Sequence, residues 1–162
     1  MKEKLQYRMY GLVPYNISPI QQGIQFGHAV QEYNNIYMDG AMSKENRDAF
    51  DQWRRHDKTF IILNGGTTNL NPESRGSLNE AEMHLSRIGI QTALFHEPDL
   101  GDQLTAVVFL VDERVYDKEK YPPYDEFVYD PIDERNYYFD LFGDDDNKIL
   151  EMREFLSQFR LA

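Results

Sequence analysis

Four apolar runs of strand length, at 5–13, 59–63, 91–95 and 104–111, are separated by segments with helical spacing. This alternation is the tightest constraint on what the chain can fold into, because it calls for helices layered on a sheet. The first run mixes alternation with aromatics (Leu5, Tyr7, Met9, then Tyr10, Leu12, Val13) and stops at Pro14, as a strand does. The second, Thr59-Phe-Ile-Ile-Leu63, is uninterrupted and reads as a central strand buried on both faces. Between the third and fourth lies only the short link His96 to Asp102, which predicts one antiparallel pairing. The expected fold is therefore α/β: a three-layer sandwich around a small mixed, mostly parallel four-stranded sheet.

The intervening segments carry helix signals. Ser18-Pro19 reads as N-cap and first helical residue, since a proline's missing N–H is not needed there. The helix should run to about residue 38, with Phe26, Val30, Tyr33 and Tyr37 at helical spacing and Ile20, Ile24 and Gly27 on an adjoining stripe. Gly23 and Gly27 lie one turn apart and cost about 1 kcal/mol each relative to alanine, which predicts close approach of a strand or a ligand. Residues 43–56 form a second helix with Ala49, Phe50 and Trp53 at core spacing. Ser77-Leu-Asn-Glu80 reads as a capping box for a third, which Gly89 stops.

Beyond Asp112 the texture becomes acidic and aromatic. Nine aromatics fall between Tyr116 and Phe142, Phe127 and Tyr129 among them, too many for a disordered tail. A short helix is expected over 133–142. Asp144-Asp145-Asp146 supplies a cap and favourable dipole charge for a last helix bearing Ile149, Leu150, Met152, Phe155, Leu156 and Phe159. The Asp run lacks the glycine and closing glutamate of a calcium loop. The organisation expected is an α/β domain over 1–113 and an acidic-aromatic extension with its final helix over 114–162, packed on it.

The formal charge is −11, which by itself argues against a nucleic-acid partner. It is unevenly placed, however: residues 112–146 carry −9 and residues 1–111 only −3. Within the first part Arg47, Arg54, Arg55 and Lys58 are the nearest thing to a basic cluster, read either as solvated helix charges or as a basic face. The chain has no cysteine, which excludes disulfides, thiolate nucleophiles and Cys-ligated zinc. No apolar run approaches the roughly 20 residues of a membrane span, and Met1-Lys2-Glu3-Lys4 does not open a signal peptide. A cytoplasmic location without a membrane partner is expected.

Three polar stretches stand where the folding pattern does not demand them, and all are placed at one end of the sheet. On the first helix they are Gln21, Gln22, Gln25 and His28, with Gln25 and His28 three apart and so on one face. After the second strand comes Asn64-Gly65-Gly66-Thr67-Thr68-Asn69, whose glycines suit either a backbone N–H nest for an anion or an ordinary turn. Before the last strand, Glu97, Asp99 and Asp102 read as a base, as metal ligands or as loop-capping carboxylates. No second histidine sits at ligand spacing near His28 or His96, so neither metal nor cofactor is expected.

Gln25-Phe-Gly-His28-Ala29 on a helix after an N-terminal strand resembles the Gln-x-x-His-Ala stretch of the type II peptidyl-tRNA hydrolases. The order of elements is similar too: a tryptophan-bearing second helix, an apolar strand, a helix followed by Gly89-Ile90, then Thr92-Ala-Leu-Phe-His-Glu97 and Leu104-Thr-Ala-Val-Val-Phe-Leu110. The resemblance covers about residues 5–113, has the flavour of divergent phage-encoded versions, and would then put the protein in the host cytoplasm. It implies Glu97 or Asp99 orienting water, with His28 or Gln25 holding substrate. Gln21, Gln25, Asn64, Gly65, Gly66, Thr67, Asp102 and Thr105 are placed in ligand binding. The family's lysine has no counterpart in Ser18-Pro19-Ile20-Gln21-Gln22, and its Asp-Ala-Gly-x-Thr loop reads Glu97-Pro98-Asp99-Leu100-Gly101-Asp102 here.

The expectation is a protein that binds a nucleotide or tRNA 3′ end. Ester hydrolysis at that site stands against non-catalytic sequestration of a nucleotide signal, as in phage counter-defence, and against an acidic protein-interaction module. A homodimer, and a basic protein bound by the acidic tail, complete the partners considered.

Overall fold

Four strands form one sheet in the order β2-β1-β4-β3, with β1 at Tyr7–Pro14, β2 at Thr59–Gly66, β3 at Thr92–Glu97 and β4 at Gln103–Asp112. The computed structural model describes residues 4–69, 75–125 and 130–162. One compact unit holds Gln6–Val111 together with Phe159–Ala162; a second is built on Asp112–Gln158.

In the first unit, α1 (Pro19–Met38) and α2 (Lys44–Gln52) cover one face of the sheet. Met9, Val13, Ala93, Ala106 and Val108 point to that face and pack with Phe26, Ala29, Tyr33, Phe50 and Trp53. Leu12 alternates with Val13 and so belongs to the other face, where Leu78 of α3 (Ser77–Ile88) meets it beside Gly65. The sandwich thus has three layers. Gly11 is required on the α1 side, because a Cβ there would strike the Phe26 ring.

Helix starts and stops follow local chemistry. Ser18 Oγ accepts the Gln21 N–H and Gln21 Oε1 accepts the Ser18 N–H, both at 3.2 Å, a reciprocal capping box beside Pro19. Gly89 ends α3 in the left-handed region at φ 86°. After α2 the chain makes one π-helical turn, Trp53–Asp57, and Lys58 at φ 55° turns it into β2.

Several expectations are corrected. The sheet is mixed but mostly antiparallel, with β1 and β2 its one parallel pair. Only the β1–α1–α2–β2 crossover returns the chain parallel to a neighbour, while the tight link after β3 forces an antiparallel hairpin. The run 59–63 is an edge strand, with Phe60 52% exposed, and the strand buried along its length is β4. Ser77 does not cap α3; Gly76 does, while the Ser77 hydroxyl bonds Thr67 N–H and Gly65 O. A Cβ at Gly23 or Gly27 would meet nothing within 4 Å, so no strand approaches them.

The second unit folds its acidic and aromatic residues into α4 (Glu113–Tyr116), α5 (Pro131–Phe142) and α6 (Asp146–Leu156). Phe127 and Tyr129 lie outside the described residues. Arg153, 9% exposed, donates to Arg114 O and Tyr121 O and sits 5.1 Å over the Phe142 ring. The Asp run does not cap α6 through a side chain: Gly143–Asp145 is a 3-10 turn, and Asp145 instead pairs with Arg114 at 3.1 Å. Among the described residues no helix is long and apolar enough to cross a membrane.

Candidate functional site

The α1 side of the β3–β4 hairpin carries a directed chain of hydrogen bonds. Phe95 and Glu97 are two apart on β3 and share a face, the one that Ala93 turns toward α1. On β4 the register slips: Phe95 lies opposite Ala106 and His96 opposite Leu104. Thr105 is the extra residue of that bulge, and its side chain meets α1 instead of alternating away.

Thr105 is fully buried and donates its hydroxyl to Gln25 Oε1 at 2.6 Å. Phe95 O lies at 3.3 Å, but the hydroxyl has one proton and the shorter bond takes it. With its oxygen committed, Gln25 presents its amide nitrogen outward, and Nε2 donates to Glu97 Oε2 at 2.8 Å. The other carboxylate oxygen accepts the Asp99 N–H at 3.1 Å and closes a 3-10 turn over Pro98–Leu100. Gly101 and Asp102, both at positive φ, return the chain to β4, and Asp102 N–H bonds Glu97 O at 2.9 Å.

Every dipole in this chain points its positive end at Glu97. The Gln25 amide first and the Asp99 N–H second hold its carboxyl below the usual glutamate range, against the opposing pull of burial, and His28 adds a smaller effect in the same direction. Half-exposed Glu97 accepts one bond per oxygen, leaving lone pairs to offer a ligand. His28, exposed on α1, stacks on Phe95 with ring centres 4.4 Å apart and planes 15° from parallel.

Gln25, His28, Glu97, Thr105 and the Asp99 backbone therefore come together. The other expected residues do not join them. Gln21 spends its carbonyl oxygen on the α1 cap, and Asp99 and Asp102 hold their side chains exposed on the turn. Asn64, Gly65, Gly66 and Thr67 lie at the end of β2, on the opposite edge of the sheet from β3. Three strand spacings of about 4.8 Å put the two groups roughly 14 Å apart.

The glycines of that second group have structural reasons. A Cβ on Gly65 would lie 2.8 Å from Leu78, and Gly66 sits at φ 88°. Its N–H groups are already bonded, Gly66 to Asn64 Oδ1 and Thr67 to Ser77 Oγ, both at 2.9 Å. Among the described residues no group of three or more His, Asp or Glu is arranged to hold a metal ion. Phe95 was missed from sequence, although its two-residue spacing from Glu97 was a usable signal. No family model matches the chain, and no curated protein is similar to it in sequence.

Proposed function

We propose that the chain binds a nucleotide or the 3′ end of a tRNA at the Gln25–Glu97 site without cleaving it. The observation that carries this reading is an ionised, pre-oriented carboxylate beside the exposed His28–Phe95 stack. A ribose hydroxyl is a donor matched to the free lone pairs of Glu97, and a base is a flat partner for the imidazole. The resemblance to type II peptidyl-tRNA hydrolases supports the same ligand class.

Binding is favoured over hydrolysis by two features. A carboxyl held below its usual range is a weaker base toward water. None of the hydrogen bonds that build the site comes from a lysine or arginine, so the bonded set contains no cation to stabilise a developing oxyanion.

The test is a titration of a labelled short RNA ending in CCA, with turnover of a peptidyl-tRNA mimic followed alongside. Binding should weaken by about 10- to 150-fold in Glu97→Gln, the worth of a charge-assisted hydrogen bond of about 1.5–3 kcal/mol. Equal affinity in both proteins would refute the role of Glu97, and release of product by the wild type would replace binding with catalysis.

A further inference from the structure

We infer that the outer edge of β2 is a second surface, built to hold single-stranded nucleic acid through its phosphates and one stacked base. The edge begins at the π-helical turn Trp53–Asp57, and Arg55, His56 and Lys58 on and just after that turn are exposed. Their side chains make no hydrogen bond or ion pair among the described residues, although Arg55 stands near enough to Asp51 to favour its ionised form. The acids around them are occupied: Asp51 accepts from Tyr37 and from Arg54, at 2.8 and 2.7 Å, and Asp57 accepts the Tyr7 N–H and the Gln52 amide. Asp48 is paired with Lys44.

An aromatic ring stands among these cations. Phe60 is 52% exposed on β2, yet its ring is fixed edge-on by Phe26 at 5.4 Å and Trp53 at 5.3 Å. A held, half-exposed ring can stack a base with little loss of rotamer freedom. At the far end of the strand residues 160–162 pair antiparallel along it, with Asn64 N–H on Arg160 O at 2.8 Å, Ala162 N–H on Ile62 O at 3.0 Å and Leu63 opposite Leu161, so this segment forms the outer edge there and carries exposed Arg160. Lys58 and Asn64 are six residues apart along an extended chain, about 20 Å at a rise of 3.3 Å. The track therefore reads cation, aromatic, cation.

Charge decides the kind of occupant. Acids outnumber bases 28 to 17 in this chain, so exposed cations whose side chains make no hydrogen bond, set along one edge, are where a polyanion can approach. Free cations alone would suit an acidic peptide equally, and the fixed Phe60 ring favours the nucleic acid. This edge is remote from Glu97 across the sheet, and the inference does not rest on the function proposed for that site.

The experiment is fluorescence anisotropy of a labelled oligouridylate, which has no adenosine end, across a salt series. Wild type should bind. R55E/K58E should abolish binding at moderate salt, and the neutral pair R55Q/K58Q should reduce the slope of log affinity against log salt by about 1.4, two phosphates at about 0.7 each. Phe60→Ala should weaken binding by about 5- to 150-fold, the worth of one stacked base. Arg87→Glu on α3 should bind as wild type does, with circular dichroism confirming that every variant is folded. No binding by the wild type at low salt, wild-type affinity in R55E/K58E, or equal competition by polyglutamate would each overturn the inference.

Discussion

Thr105→Val isolates the hydrogen bond on which the Gln25–Glu97 arrangement depends. Valine keeps the shape of threonine and removes its hydroxyl, leaving Gln25 Oε1 without the donor now 2.6 Å away. Thr105 is 0% and Gln25 6% exposed, so water cannot readily replace the lost bond. An unsatisfied buried acceptor costs about 1–3 kcal/mol, and the added methyl offsets roughly 0.8 kcal/mol, for a net loss of about 0.2–2 kcal/mol. Trp53 is the single tryptophan and lies in the same unit, so its fluorescence in a urea titration reports on this unit's unfolding. With a slope of about 2 kcal/mol per molar urea, the midpoint should fall by about 0.1–1 M. Adding Gln25→Met should recover part of the loss, because removing both partners costs less than stranding one. A midpoint within about 0.1 M of wild type, or strictly additive losses in the double variant, would refute the reasoning.

Acidification should expose the stabilisation held in Glu97. Its folded carboxyl lies below the unfolded value, so the contribution is complete above the ordinary range near pH ~4.3 and is lost as pH falls through the depressed value. Urea midpoints across pH should fall more steeply for wild type than for Glu97→Gln over that interval. Gly23→Ala and Gly27→Ala place a methyl in open space on α1 and should each raise stability by about 1 kcal/mol in thermal unfolding. Gly11→Ala should do the reverse, costing about 1–3 kcal/mol by urea titration, because its Cβ would drive into a Phe26 ring already packed against Phe60.

Much of the candidate site was legible in the residues. Gln25 and His28 share a helix face by spacing alone, and Glu97 stood out as an acid at the mouth of a hairpin. Its capping role was one of three open alternatives, and the Asp99 N–H on Oε1 fixes that part. The direction of the Gln25 amide was not legible, because it follows from the proton of Thr105, eighty residues away and turned inward by a bulge. The Asn64–Thr67 loop shows the opposite failure. Its glycines looked like an anion cradle, while Leu78 and Ser77 supply the packing and hydrogen-bonding reasons for them.

Caps, breakers and periodicity act within a few residues and so fix the elements locally: Ser18-Pro19 starts α1, Gly89 stops α3, and the short link after Glu97 makes a hairpin. The sequence also placed the acidity in residues 112–146. Which strand lies in the middle was decided only in three dimensions. The run 59–63 is as apolar as a central strand, but β4 pairs between β1 and β3 and leaves β2 at the edge. Strand order depends on contacts between residues far apart in the chain, and hydrophobic pattern is blind to them. That same order separates the two glycine and carboxylate loops by the width of the sheet, and turns one expected site into a compact carboxylate site and a basic edge.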